Sequence, residues 1–120
     1  SYPPKAPIVN HNMIDFRNQV TFIIGKDNRV FYYQSELKDL NTNILKEANF
    51  DGNNISKIIA NYKKVAPKPE FFTIIIKLTD DANYKNFIDM LDNMAITKSD
   101  LYGIAEIKST EKNVYQEKIK

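Results

Sequence analysis

Few side chains in this sequence have the type and spacing that covalent or metal chemistry needs. His11 is the only histidine, and there is no cysteine. A Ser/His/Asp triad, a thiolate metal site and a disulfide framework therefore all lack their parts. Asp80 and Asp81 are adjacent, and paired carboxylates can act as acid and base at a glycosidic bond or as oxygen ligands for a cation. Together with Thr79 they also stand just before an amphipathic segment, where such oxygens satisfy free N–H groups and suit the positive helix end. Capping is their expected role. Asp89 and Asp92 fall off the apolar stripe of that segment and form a solvated face, with Lys85 and Asp89 spaced as an i,i+4 pair. Gly25, Gly52 and Gly103 are isolated, so no phosphate-cradling loop is present. No catalytic, cofactor-binding or metal-ligating residue is assigned, and the expectation is a protein that is not an enzyme.

The elements that must position these residues follow from periodicity. Residues 1–18 contain Pro3, Pro4 and Pro7 and no sustained pattern, which predicts an extended linker. Val20, Phe22 and Ile24 alternate with Thr21 and Ile23 as in a strand, and Arg29 to Tyr33 forms a second run. Lys26-Asp27-Asn28 between them is turn chemistry, so the pair reads as a β-hairpin. Gln34 to Gly52 reads as mostly loop. Ile55, Ile58, Ile59 and Tyr62 share a helical face preceded by capping residues at Asp51 to Asn54 and followed by Pro67 and Pro69. Phe71 to Leu78 is a strand with Phe72, Ile74, Ile76 and Leu78 on one side; Thr73 and Lys77 interrupt the other. Tyr84, Phe87, Ile88, Leu91 and Ala95 form the apolar stripe of a second helix, and Leu101 to Ile107 is the last clear strand.

This order predicts an α+β fold: a two-layer sandwich with a mixed sheet of four to five strands and two helices on one face. The connection from Phe71–Leu78 through the second helix to Leu101–Ile107 should join parallel strands. The opposite sheet face would then carry Phe71, Ile75, Tyr102 and Ile104, more apolar surface than a lone subunit usually leaves open. A second copy or the linker is expected to cover it. Residues 109–120 read as a charged tail in which Val114 and Tyr115 could pair across a two-fold axis as a dimerisation strand. These six residues are the candidate interface.

Composition narrows the function classes. Seventeen basic against fifteen acidic residues give a net charge of +2, too balanced for a phosphate-neutralising footprint, so no nucleic-acid partner is expected. The apolar run Phe71 to Ile76 contains a threonine and is far short of the roughly 18 residues a membrane helix needs. The sequence begins Ser1-Tyr2-Pro3-Pro4 without an initiator methionine, as a piece of a longer protein or a chain whose leader has been removed would, and any membrane anchor is expected upstream.

The segment Ile74-Ile75-Ile76-Lys77-Leu78-Thr79-Asp80-Asp81-Ala82-Asn83-Tyr84-Lys85-Asn86-Phe87-Ile88-Asp89-Met90-Leu91-Asp92-Asn93-Met94 resembles the most recognisable block of the ExbD/TolR biopolymer-transport family. There, an apolar strand leads through a turn with lysine and aspartate into a helix opened by tyrosine, of the type Tyr-x-x-φ-φ-Asp-x-Leu. The hairpin around Lys26-Asp27-Asn28 fits the family's first two strands and Ile55–Tyr62 its first helix, so the likeness spans residues 19–108. Thr79 stands where the family's turn aspartate usually does, a glycine common after the second helix is absent, and the long Gln34–Gly52 stretch is more like Bacteroidetes-type members. The resemblance implies the periplasmic domain of an ExbD-like inner-membrane protein, tethered by an upstream membrane helix absent from this chain. Such a domain forms a homodimer with an ExbB-like motor subunit around it and binds a TonB-like protein, coupling the proton motive force to outer-membrane transport. The alternatives are a TolR-like domain associated with the Tol–Pal system and peptidoglycan, or an unrelated regulatory domain that binds a small ligand.

Overall fold

The computed structural model describes residues 15–49, 51–93 and 100–120. Strand β1, Gln19–Ile24, is joined to β2, Val30–Tyr33, by a tight turn in which Asp27 and Asn28 adopt φ of 54° and 61°. Short polar side chains tolerate that left-handed backbone. A third, short strand β3, Lys46–Ala48, follows, then helix α1, Gly52–Lys64, strand β4, Thr73–Leu78, helix α2, Tyr84–Asn93, strand β5, Leu101–Ile104, and helix α3, Ser109–Lys118. The five strands form one sheet in the order β3-β2-β1-β4-β5. The β1–β2 and β2–β3 pairs are antiparallel; β1–β4 and β4–β5 are parallel. The expected α+β fold, with a mixed sheet of five strands and two helices on one face, is observed; the expected two layers gain a third, because helix α3 covers the other face.

Register fixes what each face carries. On the front face, Val20, Phe22, Ile24, Val30, Ile74 and Ile76 are all within 1% of complete burial. They pack with Ile55 and Ile59 of α1 and Phe87 of α2. Helix α1 begins where the Asp51 carboxylate accepts from the Asn53 N–H at 2.9 Å, and Lys63 and Lys64 in its last turn complement its dipole. Helix α2 sits on Phe87, with Leu91 partly buried behind it. Tyr84 and Ile88 of the expected stripe turn outward, at 71% and 39% exposure, and Ala95 lies outside the described residues.

The reverse face holds the principal correction. Residues 109–120 do not form a dimerisation strand; Ser109–Lys118 is a helix lying on the chain's own sheet. Glu111, Val114, Tyr115, Lys118 and Ile119 recur at i, i+3, i+4, i+7 and i+8, a helical face. Val114, Tyr115 and Ile119 join Ile23, Phe31 and Tyr33 in a second core together with Leu40 and Leu45. The stretch expected to be mostly loop thus supplies β3, a 3-10 turn at Leu37–Asp39, and two buried leucines. Of the N-terminal linker, residues 1–14 lie outside the described residues, while Phe16–Asn18 is a 3-10 turn capped by Asp15.

Because Phe87 is 5% exposed and Asp92 is on the solvated side, Phe87→Ala should cost about 3–5 kcal/mol. Asp92→Ala should stay within about 0.5 kcal/mol. Urea unfolding of both variants measures the two costs, and the reverse order would mean that α2 is rotated from this placement.

Candidate functional site

The densest polar arrangement of the described residues lies between α3 and the reverse sheet face. It starts from Lys77, which β4 places beside Ile23 of β1 on that face. A lysine here must find an acceptor or lose much of its hydration without return. Glu111, 0% exposed, lies across from it, and Lys77 Nζ reaches both carboxylate oxygens, at 2.7 and 2.9 Å. The Tyr33 hydroxyl donates to Oε2 at 2.5 Å, and the Lys108 N–H at the start of α3 donates to Oε1 at 2.7 Å. One buried carboxylate thus takes four hydrogen bonds, its full acceptor capacity. Burial, then the bond to Glu111 and its charge, push the Tyr33 hydroxyl well above the ordinary tyrosine range.

A second anchor lies one helical turn on. Tyr115 is 2% exposed, and its ring meets Phe31 edge-on at a centroid distance of 5.5 Å. Its hydroxyl accepts from the Lys26 N–H at 3.0 Å and donates to Asp81 Oδ1 at 3.0 Å. Asp81 also accepts from the Thr79 hydroxyl at 2.5 Å. A Cβ at Gly25 would stand 2.5 Å from the Tyr115 ring, so the ring fits only because that residue is glycine. Burial is the main cause that raises the Tyr115 hydroxyl.

These contacts revise the role expected of the paired carboxylates. The α2 cap is Asn83, whose side-chain oxygen accepts from the Lys85 N–H at 2.8 Å. Asp81 instead holds Tyr115, and Asp80 pairs with Lys112 of α3 at 2.9 Å. Both turn aspartates fasten the C-terminal helix, because the strand-to-helix turn faces α3 rather than the first turn of α2. Among the described residues, no three His, Cys, Asp or Glu side chains gather as a metal site would need.

The six candidate interface residues do not share a surface. Tyr102 and Ile104 are register partners of Ile74 and Ile76, so they belong to the front face with the helices, not with Ile75. Ile75 stands opposite Gly103 on the reverse face. Phe71 precedes β4 in a 3-10 turn and is 60% exposed. Tyr115 is sealed in the second core, and Val114 packs against it. Surface remaining for a partner includes the outer edge of β5 and the side chain of Ile104, 49% exposed. The residues that sequence reasoning missed are Lys77 and Glu111: a lone lysine in a strand and a glutamate in step with Tyr115 were the available signal.

No family model, curated protein or solved structure matches the chain.

Removing one partner of the buried pair leaves the other charged and dry. Glu111→Ala should therefore cost about 3–5 kcal/mol, and Lys77→Met with Glu111→Leu together should recover a large part of that loss. Equilibrium urea melts of the single and double variants check this; a double variant as unstable as Glu111→Ala would contradict it. The raised Tyr33 hydroxyl has its own signature. Its contribution is present in full below the unfolded tyrosine value of about 10, and is lost as pH rises from there toward the folded value. The urea midpoint should fall steadily above about pH 10, and Tyr33→Phe should flatten part of that fall.

Proposed function

We propose that this chain is the periplasmic domain of an ExbD-like inner-membrane protein, which couples the proton motive force to TonB-dependent outer-membrane transport by binding other proteins. The observation that carries the reading is the β4–α2–β5 unit. The residues that resemble the family's block form a strand, a polar turn and a helix that returns to a parallel neighbouring strand. The hairpin and α1 precede it in the order the resemblance implies. Lys77 departs from the family pattern as described above, since it lies within β4 and not in the turn.

In this reading the domain acts as a binder and transmitter in a homodimer surrounded by ExbB-like motor subunits, with no catalytic step of its own. With α3 engaged by its own sheet, pairing of tails across a two-fold axis is not part of the proposal. The partner's place is an edge of the sheet, where backbone groups lack a neighbour. Strand β3 is a poor template: it has three residues, and exposed Lys46 and Glu47 guard it, Glu47 being bound to Arg29 at 2.9 Å. Strand β5 is the better one. An extended TonB-like segment added along Leu101–Ile104 would set its side chains against Tyr102 and Ile104, giving both an interface role.

Titrating the isotope-labelled chain with an extended segment of a TonB-like protein tests this by NMR. Amide shifts should concentrate on Leu101–Ile104 and the adjoining β4. Shifts confined to the outer faces of α1 and α2, or none at all, would contradict it. A response of β5 to peptidoglycan fragments in place of the TonB-like segment would favour the TolR-like branch.

A further inference from the structure

The turn between α1 and β4 leaves two large apolar side chains in water, Val65 at 75% and Phe71 at 60% exposure. Each stands next to a residue tied into the front core, Ala66 at 8% and Phe72 at 3%. Neither exposed side chain can turn inward without pulling its neighbour out. The backbone between them is stiff. Pro67 and Pro69 restrict it, the Phe71 N–H donates to the Lys68 carbonyl at 2.9 Å, and the Lys68 N–H donates to Asn18 Oδ1 at 2.9 Å. Val65 and Phe71 are therefore held outward on a rigid support, so ordering them against another surface costs little entropy.

The charges of the turn complete the pattern. Lys63 is engaged with Asp100 at 3.4 Å, and Arg17 with Asp15. Among the described residues, Lys64 and Lys68 have no ion-pair partner, against Glu70 as the unpaired acid of the same turn. Apolar side chains projecting from a turn, flanked by free cations, suit the boundary between headgroups and acyl chains of an anionic bilayer. Two separate projections do not make the roughly 800 Å² per partner that a stable protein interface buries, whereas a fluid lipid surface accommodates them one by one.

We propose that this turn is a membrane-surface contact, with Val65 and Phe71 entering the interfacial layer of an anionic bilayer while Lys64 and Lys68 meet its phosphates. The inference rests on these residues alone and is independent of the proposed partner edge. The chain has no tryptophan, so Phe71→Trp places a single tryptophan at the contact, excited selectively on the red side of tyrosine absorption. Vesicles of phosphatidylglycerol and phosphatidylethanolamine at low salt should shift its emission to the blue, and phosphatidylcholine vesicles should not. Co-sedimentation of the unaltered chain with the acidic vesicles should fall at least about fivefold in Val65→Ser/Phe71→Ser and in Lys64→Glu/Lys68→Glu. Tyr84→Ser, at another exposed aromatic (71%), should sediment like the parent. The absence of a blue shift with acidic vesicles would overturn the proposal, as would sedimentation left intact by Val65→Ser/Phe71→Ser. The fluorescence arm requires no loss of binding, so a variant that folds poorly does not decide the result.

Discussion

The arrangement of this domain depends on one buried ion pair, Lys77 with Glu111. A lysine in a sheet strand, 8% exposed, cannot face an apolar core unaccompanied, and the carboxylate that meets it comes from the C-terminal helix. The pair contributes less to net stability than to placement. Desolvating two charges consumes much of their mutual attraction, but any packing that separates them inside the protein is strongly disfavoured. That asymmetry fixes the helix along the sheet. It sets Tyr115 over Gly25 and lets the Tyr115 hydroxyl bridge the β1–β2 turn and the turn after β4.

Once the helix is so placed, the sheet is covered on both faces. On the front, α1 and α2 pack on branched and aromatic side chains; on the reverse, α3 and the segment around Leu40 and Leu45 close over Ile23, Phe31 and Tyr33. In the reading proposed above, such a body acts as a binder and transmitter. In that role, force or binding at one strand would pass along the five-stranded ladder to the others, with the Lys77–Glu111 pair holding α3 against it. The proposed partner edge and the proposed membrane contact then lie apart: exposed Ile104 is on β5, while exposed Val65 and Phe71 flank the turn between α1 and β4.

Much of this was legible in the sequence. Apolar residues at every second position of Gln19–Ile24 and Phe71–Leu78, and the repeat of Ile55, Ile58, Ile59 and Tyr62, placed three central elements with near-correct bounds, because apolar periodicity is what burial on one face demands. Tyr102 and Ile104 lie on the face opposite to the expected one, because facing depends on register with β4, which a strand does not display by itself. The tail failed for a different reason. Its buried positions are a glutamate and a tyrosine, so an apolar count sees no stripe, and the compensating lysine lies 34 residues away. Sequence proximity points the paired aspartates to the nearest helix terminus, whereas their partners, Tyr115 and Lys112, are long-range.

All of this requires that helix α3 cover the sheet of its own chain. Nuclear Overhauser contacts between the Tyr115 ring and the Gly25 α-protons test it most directly, measured on dilute protein and on a mixture of differently labelled copies. Strong contacts within one copy, unchanged by dilution and accompanied by an upfield ring-current shift of the Gly25 protons, are the predicted result. Contacts that are absent, or that arise only between copies in the mixed sample, would contradict it.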